Sequence, residues 1–210
     1  FKAAVTSDGL PRCEMAVSLA AGRHPNLIGV VGRVSDHPSG MPTLVMTLID
    51  PRFVNLAGPP SLDSCTRDVY PAGLTFTPAA LLAMAQGVAS AALHLHERGI
   101  LHGDLYAHNL LHSLLHSVQE QGRVLLGDFG AASFVPPGEP RLAAALERIE
   151  LRAFGCLLEE LAGHCPPDPG VALAQLARRC LAPDPAARPL FAEVEEVLAG
   201  LTGQGGQATP

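Results

Sequence analysis

Between Pro71 and His96 the chain carries no Asp, Glu, Lys or Arg, and a stretch of that length has to be covered from water wherever it folds. A bilayer could supply the cover, since about 20 apolar residues cross its hydrocarbon core. Thr75, Thr77, Gln86, Ser90 and His94 argue against that, because they scatter polar groups through the segment. Leu81, Met84, Val88, Ala91 and Leu95 instead recur at three- and four-residue intervals, the pattern of a helix with one buried face. The expectation is a core helix opening at Pro78, with the remaining elements gathered around it. The 210 residues, 48% of them hydrophobic, suffice for one medium domain or a domain of two small lobes.

Ahead of that helix, "LIGVVGRV" and "TLVMTLI" are short Val, Ile and Leu runs bounded by Gly, Pro and Asp, and they predict a hairpin-like pair of strands. From Asp50 to Thr77 the text is rich in Pro, Gly, Ser and Asp without a period, so it reads as a long connection and a lobe boundary. After the helix, "ILHGDL", "NLLH" and "RVLLGDFG" predict small strands flanking a loop. Helical periodicity then takes over in "LRAFGCLLEELAG", which stops at Gly163, and in "GVALAQLARRCL" and "LFAEVEEVLAGL". The tail "TGQGGQATP" has nothing to bury and is expected to be disordered.

A net charge of -6 with scattered basic residues gives no electrostatic footprint for nucleic acid or an anionic membrane surface, so neither is expected as a partner. The cysteines (Cys13, Cys65, Cys156, Cys165, Cys180) are odd in number, widely spaced and without a C-x-x-C pair. That pattern suits a reducing cytoplasm better than a disulfide framework or a zinc knuckle. The opening "FKAAVTSDG" lacks the charged start, apolar centre and small-residue site of a secretory signal. His112 and His116 would share a helix face, but the text around them is strand-like and no carboxylate or Cys stands at ligand spacing, so zinc is not expected.

Two carboxylates stand out. Asp104 lies in "LHGDLYAHNLL" with Asn109 five residues on, and Asp128 lies in "GDFG". Each adjoins apolar strand-like text, where an unpaired carboxylate is costly to bury, so both are expected at strand ends facing a cleft. A base, an amide and a second carboxylate around one cleft can hold a metal-bound phosphate.

The order and spacing of these residues resemble the protein kinase catalytic set, H-R-D-L-x-x-x-N followed by D-F-G. It reads here as His102, Gly103, Asp104, Leu105 and Asn109, then Asp128, Phe129 and Gly130. The resemblance implies that Asp104 accepts or orients the proton of the substrate hydroxyl. It also implies that Asn109 and Asp128 hold Mg2+ against the phosphates of ATP, that Leu111 belongs to the nucleotide-binding set, and that His102 packs against Phe129. "CEMAVSLAAGRHPNLIGVVG" resembles the helix carrying the ion-pair glutamate and the H-P-N-L segment after it; Glu14 is the sole glutamate before Glu97. Lys2, the only lysine, is then the candidate for the phosphate-clamping partner of Glu14. "ERIELRAFGCLLEEL" is similar to the D-x-W-S-F-G helix of the large lobe, with Glu150 where Asp is usual, and "CLAPDPAARPLFAEV" to the closing D-P-x-x-R-P segment, with Arg188 in place.

The fold so implied is α+β and protein kinase-like: bilobal, with a truncated small β-rich lobe and a mainly helical large lobe. Residues 1–54 make the small lobe, 55–77 the connection, 78–201 the large lobe and 202–210 the tail. The function implied is ATP-dependent transfer of a γ-phosphoryl group to a hydroxyl of a protein substrate, with ATP and magnesium as cofactors. Two alternatives stay open: a pseudokinase acting as a binding module, and a small-molecule phosphotransferase of the aminoglycoside or choline kinase type, which shares H-G-D-L-x-x-x-N.

The departures from the family pattern carry their own expectations. No G-x-G-x-x-G precedes Lys2, and Gly103 replaces the arginine that pairs with a phosphorylated activation loop. The segment from Gly130 to Glu150 is short, has no A-P-E and offers Ser133 as its only hydroxyl, so activity should not depend on phosphorylation there. Tyr106 occupies the position of a phosphate-contacting lysine, which leaves the acceptor type open. His94 and His96 are expected with their rings at the surface, Cys156 and Cys180 as buried apolar fillers, and Arg178 and Arg179 on a solvated face. Arg188 should pair with Glu147 or Glu150.

Overall fold

The computed structural model describes residues 11–38, 40, 42–63, 67–114, 122–165 and 171–204. Lys2, Cys65 and His116 lie outside them. The predicted core helix is α2, Pro78–His96. Thr77 caps it, its side chain accepting the Ala80 N–H at 3.1 Å, and Pro78 occupies a first-turn position whose missing N–H costs nothing. Leu81, Met84, Val88, Ala91 and Leu95 are all buried. The helix is long and apolar enough to cross a membrane by length and composition alone, yet 56% of it is buried inside the domain.

Ahead of it, α1 (Pro11–Ala21) is followed by the antiparallel pair β1 (Val30–Val34) and β2 (Thr43–Met46), the expected hairpin. The Asp50–Thr77 run needs one correction, because β3 (Phe53–Asn55) forms inside it and the division after residue 54 falls within that strand. The strand signal is only three residues long, and β3 exists because β5 (Leu110–Ser113) offers it an edge. β5 also pairs with β6 (Val124–Leu126), giving a three-stranded antiparallel sheet in the order β3-β5-β6. Leu27 bridges the free edge of β6 at Leu126, and Asn26 Nδ2 donates to the Val124 carbonyl at 2.9 Å, so the H-P-N-L segment ties the first hairpin to this sheet. Gly87 on α2 makes room for that approach: a Cβ there would lie 2.6 Å from Asn26 Nδ2.

β4 (Ile100–Leu101) pairs with β7 (Ser133–Phe134). The rest is helical: α3 (Pro140–Gly163), α4 (Val171–Cys180) and α5 (Phe191–Gln204). α3 ends at the predicted Gly163 but begins eleven residues earlier than its apolar pattern suggested. Half of the expected activation segment is therefore helix, leaving only residues 130–139 outside it. α5 extends through Thr202–Gln204, which corrects the start of the disordered tail; the residues beyond lie outside the described ones.

Candidate active site

Asp104 follows β4, and its loop is bound to itself at almost every polar atom. Asn109 Nδ2 donates to the Asp104 carbonyl at 2.9 Å and to Asp104 Oδ2 at 2.8 Å. An amide whose NH2 is spent this way has only its Oδ1 left as a cation ligand. The other carboxylate oxygen, Asp104 Oδ1, has no partner among the described residues. His102, fully buried, accepts the Asp104 N–H on Nδ1 at 3.3 Å and donates from Nε2 to the Gly127 carbonyl at 2.9 Å, a pattern that assigns the neutral Nε2–H tautomer. Its ring lies 5.4 Å from that of Phe129, the contact expected for it.

Gly127 N–H donates to the Asn109 carbonyl at 3.0 Å, so the two predicted motifs are stitched together one residue before Asp128. Asp128 is the only non-glycine residue with positive φ among those described, at 57°; its Oδ1 accepts the Gly130 N–H at 3.0 Å. Left-handed backbone at a non-glycine residue is an energetic cost that proteins keep at working sites. Asp128 also shares a cavity of about 180 Å³ with Glu14, Ser18, Ile28, Leu44, Met46 and Phe129. The expected glutamate of α1 and the D-F-G carboxylate thus face one space. Leu111 is half-buried, opposite Leu125 and Asn55 in the sheet. It shares a face with Leu125, which lines a cavity of about 460 Å³ with Ile28, Thr47, Ile49 and Phe53.

Beneath the loop sits a group the sequence reading placed differently. Glu150 is buried; it accepts the Gly103 N–H at 2.7 Å and the His96 Nε2–H at 2.7 Å. Burial pushes its carboxyl upward, but the bond to His96, the pull of that ring and the Gly103 N–H together bring it below the ordinary carboxylate range. The His96 side chain is consequently buried and stacked on Phe191, and His94 half-buried on the Ala21 carbonyl, which corrects the surface placement of both rings. Arg188 is corrected too: it donates to the carbonyls of Ala182 and Arg148, while Glu147 accepts the Phe191 N–H. Arg179 lies on the expected solvated face, where it pairs with Glu193 at 3.5 Å. Cys180 is buried, whereas Cys156 is only partly so.

Gly103 has φ 80°, and a Cβ there would lie 2.6 Å from the Ala131 carbonyl oxygen. The glycine in place of arginine is therefore a backbone requirement of this loop.

One pair escaped sequence reasoning altogether. The Asp68 side chain, wholly buried, accepts the His108 N–H at 3.0 Å on Oδ2 and bonds His108 Nδ1 at 2.9 Å on Oδ1. His108 Nε2 then faces Asp104 Oδ2 at 3.6 Å. The one available signal was the i, i+4 spacing of Asp104 and His108, since Asp68 sits in the aperiodic connection. Arg67 and Tyr70 dock that stretch on Glu160 of α3, at 2.9 and 3.0 Å.

The site is thus a carboxylate and an amide held together by hydrogen bonds and joined through Gly127 to a second carboxylate in left-handed backbone. A family model for protein tyrosine and serine/threonine kinases matches residues 12–152, well over half of the chain, and the chain belongs to the protein kinase family. No curated protein matches it.

Proposed function

We propose that the chain is an ATP-dependent, magnesium-using protein kinase domain that transfers the γ-phosphoryl group to a protein hydroxyl, with serine or threonine as the expected acceptor. The observation that carries this reading is the Asn109 Nδ2 to Asp104 Oδ2 bond at 2.8 Å. It leaves an amide oxygen on one residue and a carboxylate oxygen on the other free to work.

The donors fit the metal. Magnesium prefers hard oxygen ligands, and the Asn109 Oδ1 and Asp128 carboxylate are of that kind. When bound it would neutralise triphosphate charge as phosphoryl transfer requires. Asp104 Oδ1 orients the acceptor hydroxyl and takes its proton. Glu14, facing the cavity shared with Asp128, is the proposed partner of Lys2 in clamping the phosphates. Leu111 contributes apolar surface to the base. We further read the fold as bilobal, with α1, β1 and β2 as the remaining small lobe, and assign a reducing cytoplasm on the cysteine pattern.

Tyr106 favours a pseudokinase as the second reading, because an exposed aromatic ring stacked on His108 stands where a phosphate-contacting cation is usual. Calorimetric titration of ATP with and without magnesium, followed by a screen of peptides against small alcohols, tests the assignment on the full natural chain. Magnesium-dependent binding with peptide phosphorylation supports the kinase. Binding without turnover supports the pseudokinase, and phosphorylation of alcohols alone overturns the protein-kinase reading.

A further inference from the structure

α3 buries Glu150 under the loop after β4, yet it leaves an apolar stripe beside that residue uncovered. Leu142, Ile149 and Cys156 recur at seven-residue intervals and so share one face of the helix. Leu142 and Ile149 are exposed, and Cys156 is half-buried. The segment ahead of α3 is too short to cover them: Ser133 and Phe134 are held against Leu101 and Ile100 in the β4–β7 pair, and the helix starts soon after, at Pro140. Exposed apolar surface of this kind marks a binding face.

Where the stripe meets the loop there is a pocket of about 320 Å³, walled by Leu101, Leu105 and Tyr106 on one side and by Ile149, Ala153 and Cys156 on the other. Gly103 and Leu105, the two chain neighbours of Asp104, both line it, and the Tyr106 ring stacks on His108, whose Nε2 lies 3.6 Å from Asp104 Oδ2. The pocket therefore adjoins the proposed base. Two charged side chains line it as well. Glu150 is committed to His96 and to the Gly103 N–H. Arg152 is exposed, and among the described residues its guanidinium has no carboxylate or other hydrogen-bond partner. An apolar pocket with one uncommitted cation, in a chain of net charge -6, complements a ligand that is apolar at one residue and anionic at the next.

We propose that this pocket takes an apolar side chain of the acceptor polypeptide, close to the hydroxyl presented to Asp104, and that Arg152 pairs with a carboxylate beside that apolar residue. The inference rests on the kinase reading above and names the substrate class: a protein segment in which the acceptor hydroxyl, a leucine-sized residue and Asp or Glu stand close together. Selection is made by the loop after β4 and by α3, in place of the short segment after Asp128. Tyr106 serves as a wall of the pocket.

The test uses the full natural chain and a panel of short peptides with one serine among alanines, leucine replacing each neighbour in turn and glutamate or lysine placed beyond it. At one flanking position leucine is expected to raise kcat/KM over alanine about tenfold to a hundredfold, as a filled apolar pocket does. Ile149→Ser should shrink that ratio about threefold or more. Arg152→Glu should turn a roughly twofold to fivefold preference for glutamate over lysine into a preference for lysine. Both side chains are exposed, so the substitutions spare the core, and each preference is a ratio within one variant, from which a general loss of activity cancels.

An active wild type without these preferences, or one whose preferences survive both substitutions, overturns the pocket and leaves the kinase reading intact. So does a wild type that sediments as a dimer which Ile149→Ser dissociates, because a second copy then covers the face. A wild type that phosphorylates nothing but binds the fluorescently labelled leucine-glutamate peptide, more weakly after Arg152→Glu, overturns the kinase reading and supports the pocket as a peptide site. Neither turnover nor peptide binding overturns both.

Discussion

The loop after β4 and the loop after β6 begin from the same kind of sequence, a carboxylate at the end of a short apolar strand, and the fold holds them by opposite means. Around Asp104 nearly every polar group has a partner: Asn109, His102 and His108 touch it, and Glu150 secures the Gly103 N–H from below. Its one left-handed residue is a glycine. Around Asp128 the support is thin. The carboxylate is exposed, bonds only within its own turn, and itself occupies the left-handed backbone. One loop is braced from several sides, and the other carries its strain in the open. That difference suits the roles proposed for Asp104 as base and Asp128 as metal ligand. A base has to be aimed, while a ligand can be drawn into place by the charge of the ion.

The largest effect expected from breaking this contrast is on activity. Asp104→Asn should lower turnover by a factor on the order of 10²–10⁴ while magnesium-dependent nucleotide binding persists. Asp128→Asn should lose the binding itself; calorimetry and steady-state rates separate the two outcomes. If Asp104→Asn abolished nucleotide binding, the division of labour would fail.

Stability is expected to respond next at Glu150. Glu150→Ala strands the His96 ring and the Gly103 N–H in a buried site, at a cost of about 3–5 kcal/mol read from chemical denaturation. Its pH dependence has a definite sign. The native carboxyl lies below its ordinary value of 4.5, so its contribution is complete above the unfolded-state value and is lost as pH falls through the native one. Wild type should therefore lose melting temperature on acidification more steeply than Glu150→Gln.

Smaller changes are expected from exchanging the left-handed residues. Gly103→Ala should cost about 1–3 kcal/mol, because the added Cβ meets a backbone carbonyl that cannot move aside cheaply. Asp128→Gly should instead gain up to about 1 kcal/mol while removing metal-dependent binding, the signature of a residue kept for function. A melting temperature lowered by Asp128→Gly would contradict the strain argument. Least of all should come from Asp50→Asn. The neighbouring Arg52 holds the exposed Asp50 carboxyl down at about 2, yet solvent screens the pair, and the melting temperature should stay within experimental scatter.

Periodicity and turn chemistry were enough to read α2 from its opening at Pro78, the β1–β2 pair, and the ends of strands carrying Asp104 and Asp128, because each is encoded within a few consecutive residues. The neighbourhood of His102 with Phe129 followed from the family resemblance. Three features depended on residues far apart in the chain: β3, which is a strand only beside β5; Glu150, whose partners lie on α2 and in the loop after β4; and Asp68, which reaches His108 across forty positions. A buried polar group is satisfied by whatever packing brings near it, and no local pattern announces that partner. Sequence by itself determined α2, the β1–β2 pair and the residue types at the strand ends that carry Asp104 and Asp128. Tertiary structure decided which carboxylate would be braced, which would be left strained, and which imidazole would stand beside the proposed base.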